Sequence, residues 1–359
     1  MLSTDICKND DVGSTAIQAK KDGVSLSNNY DEGTDFGGCR DIDHKSENVQ
    51  KIIKAYLKFL KEDIGYTGFR YDMVKGFSGT HVADYNDATS IEFSVGEYWD
   101  GNQSIINWIN STNKKSAAFD FRYNVRDAIG VKDNKIVSAQ NWSKLKSDYN
   151  LMHDATYRQY AITFVENHDM QYRSKDEPLD PLKRDTLAAN AYMLAMPGTP
   201  CVFQPHWRAY KQEIKSMIEA RKLAGITNMS NYTNKMAQTS CFANETTGNK
   251  AKLIVVVGND TKAYTPSADY TQILEGYHYR YYLSKSAETA WCNIPSGEYE
   301  AGFKAKLTAV SQNSNAKLVY TTDGTAPTAK SKQVATGSTI NIEETCTLKV
   351  GLLINGNVT

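Results

Sequence analysis

Three short stretches of this chain each end in a carboxylate. Gly68-Phe69-Arg70-Tyr71-Asp72 reads as a strand. Residues two apart share one face of a strand, so Arg70 and Asp72 point together while Phe69 and Tyr71 point toward covering helices. The strand Ile91 to Glu97 repeats the layout, with Phe93, Val95 and Glu97 on one face and the acid last. A third strand, Ala161 to Val165, runs into Glu166-Asn167-His168-Asp169. One acid at a strand end is commonly a helix cap or a loop ion pair. Acids closing three parallel strands, with arginine and histidine beside two of them, gather at one rim, where barrel enzymes place their chemistry. Two carboxylates flanking a sugar linkage are what glycoside hydrolysis needs: one attacks the anomeric carbon, the other protonates the leaving oxygen. Arg70 would keep Asp72 ionised. Glu97, beside Tyr98 and Trp99, is expected in a drier setting near negative charge, which raises its pKa and lets it carry a proton. Tyr98 and Trp99 form a candidate sugar-stacking pair, and the bland reading of each is a core aromatic.

The elements that would position these groups follow from periodicity. Ser46 can cap a helix whose apolar residues Val49, Ile52, Ile53, Tyr56, Leu57 and Leu60 recur at helical spacing, with Gly65 ending it. After it, strands at 68–72, 91–97, 117–121, 161–165 and 199–203 alternate with helices near 103–109, up to 149, 182–193 and 210–223, with an irregular segment between the first two strands. Such alternation predicts a parallel sheet, a partial (β/α)8 barrel of about five of eight units. Residues 1–45, rich in Asp, Asn, Gly and Ser, read as a long loop region. After Gly225 the pattern turns antiparallel, and from about Glu298 a small all-β sandwich follows, with Asp323-Gly324 as a turn. The expected domains are therefore 1–45, 46–224, 225–297 and 298–359.

Composition excludes several classes. Lys plus Arg equals Asp plus Glu at 41 each, which argues against a nucleic-acid binder and suits a neutral ligand. No run of about 18 apolar residues predicts a membrane span. Met1 to Asp11 lack the apolar core of a signal peptide. The six cysteines form no C-x-x-C pair and the six histidines no H-x-x-x-H spacing, which argues against a structural zinc site and a metal hydrolase.

Residues 68–77 (GFRYDMVKGF), 95–99 (VGEYW) and 164–169 (FVENHD) together resemble three consecutive signature regions of α-amylases in glycoside hydrolase family 13. Asp41-Ile42-Asp43-His44 with Asn48-Val49-Gln50 resembles the end of that family's loop (B-type) domain, and Met196-Pro197-Gly198-Thr199-Pro200 its lead into the last barrel strand. The resemblance implies retaining hydrolysis of α-1,4-linked glucan poly- or oligosaccharides. Asp72 would be nucleophile, Glu97 acid/base and Asp169 the transition-state stabiliser, with Arg70, His168, Lys75 and Tyr98 binding substrate or supporting these groups. It also implies a structural calcium near Asp41 and the Gly76 carbonyl. The family's first signature, an Asp…Asn-His segment, and the strands before it have no counterpart here. The chain is thus expected to start inside the loop domain and to be weakly active or inactive alone. The intact protein is expected to be secreted, periplasmic or on the cell surface. Val319 to Thr328 resembles a small β-sandwich module appended to some bacterial carbohydrate-active enzymes. Rival readings are an α-1,6-glucan hydrolase, a transglycosylase, or a non-catalytic starch-binding protein.

Overall fold

Short strands and helices alternate from residue 47 to residue 224 in the computed structural model, which describes residues 1–359 apart from Asp35, Asp148 and Ala301. The chain divides into two units, Met1–Asp120 with Tyr149–Ile162, and Phe121–Asp148 with Thr163–Thr359.

The first unit contains α1 (Ser14–Asp22), α2 (Glu47–Glu62), β1 (Gly68–Tyr71), α3 (Gly79–Thr89), β2 (Phe93–Gly96), α4 (Asn102–Ser111) and β3 (Ala117–Asp120). Ser46 caps α2 by accepting from the Val49 N–H, and buried Asp5 holds both Ser46 Oγ (2.9 Å) and Asn48 Nδ2 (2.7 Å). β1 and β2 are parallel, Gly68 opposite Phe93 through Tyr71 opposite Gly96, and β2 pairs in parallel with β3. The strand alternation holds: Phe69 packs with Leu57 and Tyr85 under the helices, and Tyr71 joins that cluster. Val95, Ala117 and Ile162 form a second cluster, and Trp108 anchors a third with Val74, Val82, Ile105, Ile109, Leu151 and Ala161.

Two expectations are corrected here. The first 45 residues are not loop throughout, since α1 lies between left-handed glycines Gly13 and Gly23. Its Ala-Ile-Gln-Ala-Lys-Lys run favours helix but buries only Thr15 and Ala19, so no apolar periodicity announces it. The segment after β1 holds α3, capped by Ser78 and closed by left-handed Ser90. That helix buries Asn86 and Thr89 as well as apolar residues, which disguises its inner face.

Strands β4 (Val131–Lys132) and β5 (Lys135–Ile136) make a small hairpin; β6 (Ala161–Thr163) and β7 (Thr199–Pro200) complete a five-stranded sheet in the order β1-β2-β3-β6-β7. Flanked by helices, this is a partial α/β barrel. In the second unit α5 (Arg122–Ile129), α6 (Thr186–Ala195), α7 (Gln204–Ala209) and α8 (Lys211–Ala224) precede an antiparallel sheet. Its strands are β8 (Asn231–Ala237), β9 (Phe242–Thr247), β10 (Lys252–Val257), β11 (Tyr270–Gly276) and β12 (Tyr279–Ser284), ordered β11-β12-β10-β9-β8. Arg221 of α8 is buried and donates to the Leu194, Met196 and Gly198 carbonyls, fixing the approach to β7. The remaining strands form two small sheets: β13 (Thr289–Cys292), β14 (Phe303–Val310) and β17 (Thr339–Ile342), and β15 (Lys317–Thr321), β16 (Lys332–Val334), β18 (Lys349–Ile354) and β19 (Asn357–Val358). Leu307, Leu318, Ile340 and Leu352 fill the space between them, a β-sandwich core.

Candidate active site

At the C-terminal ends of β1 and β2 the side chains converge as alternation requires. Arg70 Nη1 lies 2.6 Å from Asp72 Oδ1, and its Nη2 lies 3.0 Å from Glu97 Oε2. One guanidinium thus pairs with both acids. Their surroundings differ sharply. The Asp72 side chain is 69% exposed, whereas that of Glu97 is 7% exposed. Burial raises the Glu97 pKa, and Asp72 adds to the rise; Trp99, the Met73 N–H and Arg70 oppose it.

The backbone explains the placement. Glu97 N–H donates to the Tyr71 carbonyl (3.0 Å), locking the end of β2 to β1. Met73 adopts φ +46°, a left-handed turn that aims its N–H at Glu97 Oε2 (3.2 Å). Tyr71 Oη donates to Asn86 (3.0 Å), which in turn donates to Ser94 Oγ (2.9 Å), so α3, β1 and β2 are tied by a buried polar chain.

Lys75 Nζ sits 3.0 Å from Asp100, 3.3 Å from the Trp99 carbonyl and 5.8 Å from the Tyr98 ring centroid. Tyr98 packs on Trp108 (5.9 Å). Trp99 does not pair with Tyr98 as a stacking platform: its ring lies against Phe119 (6.1 Å, 25°), and its indole N–H donates to Glu97 Oε1 (2.7 Å). The Arg70 guanidinium lies over the same Phe119 ring at 5.9 Å. Phe119, the Met73 N–H and Asn86 escaped sequence reasoning. Phe119 alone carried a signal, being two residues from the start of a predicted strand and on its polar-rim side.

In the second unit, His168 and Asp169 follow β6 on a short 3-10 turn capped by Asn167. His168 Nε2 and Arg173 Nη2 lie 3.3 Å and 3.4 Å from the Asp169 carboxylate. Arg122 is 1% exposed at its side chain and donates to the Val165 carbonyl (2.6 Å) and to Asp180 (2.9 Å), bracing the strand end that carries this motif.

The expected calcium was tested against the donor set. The Asp41 carbonyl accepts from Cys7 N–H (3.0 Å) and its own N–H donates to Asp10 (2.6 Å). Asp10 also takes the Thr15 hydroxyl, and Asp43 takes Ser27, Asn29 and the Lys45 N–H. The carboxylates of Asp10 and Asp43 are thus engaged by the segment's own donors. Among the described residues no group of three or more His, Cys, Asp or Glu is placed to hold a metal.

Residues 294–356 match the model of the chitobiase/β-hexosaminidase C-terminal domain. The chain is 32% identical to α-amylase 3, chloroplastic, of Arabidopsis thaliana over 54% of this chain and 23% of that one. It is 29% identical to the glucan 1,4-α-maltotetraohydrolase of Roseateles saccharophilus over 65% of this chain and 44% of that one. It thus spans less than half of either relative. An Anoxybacillus α-amylase structure superposes with a TM-score of 0.53 at 15% identity, covering 97% of this chain and 70% of that one, a likeness of fold. By its ordered motifs and these likenesses together, the chain is similar to α-amylases.

Proposed function

We propose that this chain carries the cleavage centre of a retaining α-1,4-glucan hydrolase, with Asp72 as nucleophile and Glu97 as general acid/base. The observation that carries the reading is the pairing of both carboxyl groups with one guanidinium, that of Arg70. A retaining pair stands about 5–5.5 Å apart and an inverting pair about 6.5–9.5 Å, and carboxyl groups bonded to the two terminal nitrogens of a single guanidinium favour the closer spacing. The roles follow from exposure and charge. Asp72 faces outward and is held ionised by Arg70 at 2.6 Å, so it can attack the anomeric carbon. Buried Glu97, with its pKa raised, gives its proton to the leaving glycosidic oxygen. The same residue then takes a proton from water, which breaks the Asp72–sugar ester. Lys75 and Tyr98 line the approach and would contact the sugar on the leaving side. Asp169 and His168 are assigned to sugar hydroxyls by motif alone. The name of the Roseateles relative supports an α-1,4-linked substrate. No step runs through calcium. Export of the intact protein remains an expectation of the family resemblance.

Trapping tests this with a single turnover, which suits a weakly active chain. Incubation with a fluorinated maltosyl fluoride should leave one glycosyl adduct, located by peptide mass spectrometry on Asp72, and Asp72→Asn should abolish it. An adduct on another residue, or neither adduct nor hydrolysis by the folded chain, refutes the assignment.

A further inference from the structure

We propose that Trp99 is a positioning residue for the reaction, its indole N–H fixing the Glu97 carboxyl for proton transfer from a seat made by Phe119. The inference rests on the role assigned to Glu97 above.

The geometry departs from what the sequence position suggests. A tryptophan two residues after a candidate acid/base, next to a tyrosine, reads as a sugar platform. Here the indole N–H is already engaged, 2.7 Å from Glu97 Oε1, and the ring rests on Phe119 with centroids 6.1 Å apart and planes 25° from parallel. Phe119 also carries the Arg70 guanidinium on its face at 5.9 Å. One ring from β3 therefore seats two of the donors that grip Glu97. Arg70 and the Met73 N–H hold Oε2 at 3.0 Å and 3.2 Å, and Trp99 holds Oε1. Both oxygens are thereby fixed and the carboxyl plane cannot rotate. An acid that must protonate one oxygen and later deprotonate a water at the same place needs this constancy.

The same bond has an electrostatic consequence. A donor to the carboxylate favours the ionised form. Trp99 opposes the upward push that burial and Asp72 exert on Glu97. The charged groups that act on this acid are Asp72 and Arg70 at the end of β1. Trp99 and the Met73 N–H are its uncharged donors, and the indole bond is the shorter, 2.7 Å against 3.2 Å.

Trp99→Phe keeps a ring on Phe119 and deletes only the N–H. A hydrogen bond to a charged group corresponds to an upward shift of roughly one pH unit in the Glu97 midpoint. The readout is carboxyl carbon-13 NMR on the full chain labelled at glutamate, with the Glu97 signal assigned by Glu97→Gln. Where turnover is measurable, the alkaline limb of the kcat profile should move by the same amount and in the same direction. Phe119→Leu, which unseats the indole without removing its N–H, should give a smaller shift of the same sign and serves if Trp99→Phe fails to fold. A Glu97 midpoint unchanged in both folded variants overturns the proposal. A chain that neither cleaves nor traps glucan refutes the hydrolase reading and the reaction role of Trp99 with it, whereas an unchanged midpoint in a chain that traps glucan refutes the positioning role alone, so the two failures are separable.

Discussion

Replacing Gly96 by alanine should unseat the acid/base without touching a polar atom. Gly96 immediately precedes Glu97 and pairs with Tyr71 on one side and Ala118 on the other. A Cβ at this position would stand 2.1 Å from Trp108 Cη2, 2.5 Å from Cζ2 and 2.9 Å from Cζ3. Ordinary contact begins at 3.4 Å, so the indole must retreat by 3.4 − 2.1 = 1.3 Å. It has nowhere to go: Trp108 is 5% exposed and is packed with Val74, Val82, Ile105, Ile109, Ala118, Leu151 and Ala161. Overpacking a core costs about 1–3 kcal/mol, and a rigid bicyclic ring against strand backbone belongs at the upper end. At roughly 2–4 °C per kcal/mol, the melting temperature should fall by about 5–10 °C. Trp108→Leu alone should also destabilise, by roughly 2–4 kcal/mol, through the cavity it leaves. The decisive measurement is the double mutant in denaturant titrations. With the ring removed, the alanine methyl enters the vacated space, so Gly96→Ala plus Trp108→Leu should be no less stable than Trp108→Leu alone. That is a favourable coupling of about 3 kcal/mol. Strict additivity, or a Gly96→Ala protein that melts like the parent, would refute the claim that this glycine is chosen for the closeness of the indole.

Arg122→Met should lower unfolding free energy by roughly 1–3 kcal/mol in urea titrations, because it leaves the Val165 carbonyl without its donor while Asp180 keeps Arg126 at 3.1 Å. An effect under about 1 kcal/mol would mean that the network is spectator to stability. His44, stacked on Phe77 at 4.1 Å and bonded to Tyr85 Oη at 2.8 Å, is pushed down to about 4 by burial, with neighbouring His81 adding to the effect. A histidine kept neutral by the fold stabilises fully above its unfolded value of 6.5, and that stability drains as pH falls toward 4, by up to about 3 kcal/mol. Thermal melts across that window should show the loss in the parent and a flatter profile in His44→Asn. Parallel profiles would place the acid sensitivity elsewhere.

Strand alternation was enough to read which side chains leave β1 and β2 on the same side, and the rule works here because each strand is short and its other face is committed to helices. It delivered Arg70, Asp72 and Glu97 to one cluster from spacing alone. What alternation cannot carry is reach and direction beyond the strand end. Met73 turns left-handed at φ +46°, a conformation that a methionine adopts only under tertiary constraint, and so a backbone N–H that no residue type advertises becomes a ligand of Glu97. Trp99 was misread for the same reason: its position suggested an open face, whereas its ring is claimed by Phe119 on the next strand, a contact made beyond the end of β2. The helices α1 and α3 were hidden by a different cause. Their inner faces bury Thr15, Asn86 and Thr89, so a pattern search that equates burial with apolar side chains passes over them. Asn86 is the telling case. It is 1% exposed, and it is polar because it must answer Tyr71 and Ser94 on the two strands that carry the acids. The residue that breaks the apolar period of α3 is thus the one that fixes α3 to the site. A polar interruption in a covering helix beside catalytic strands is therefore evidence for a buried tether, and losing that amide should disturb β1 and β2 before it disturbs the helix.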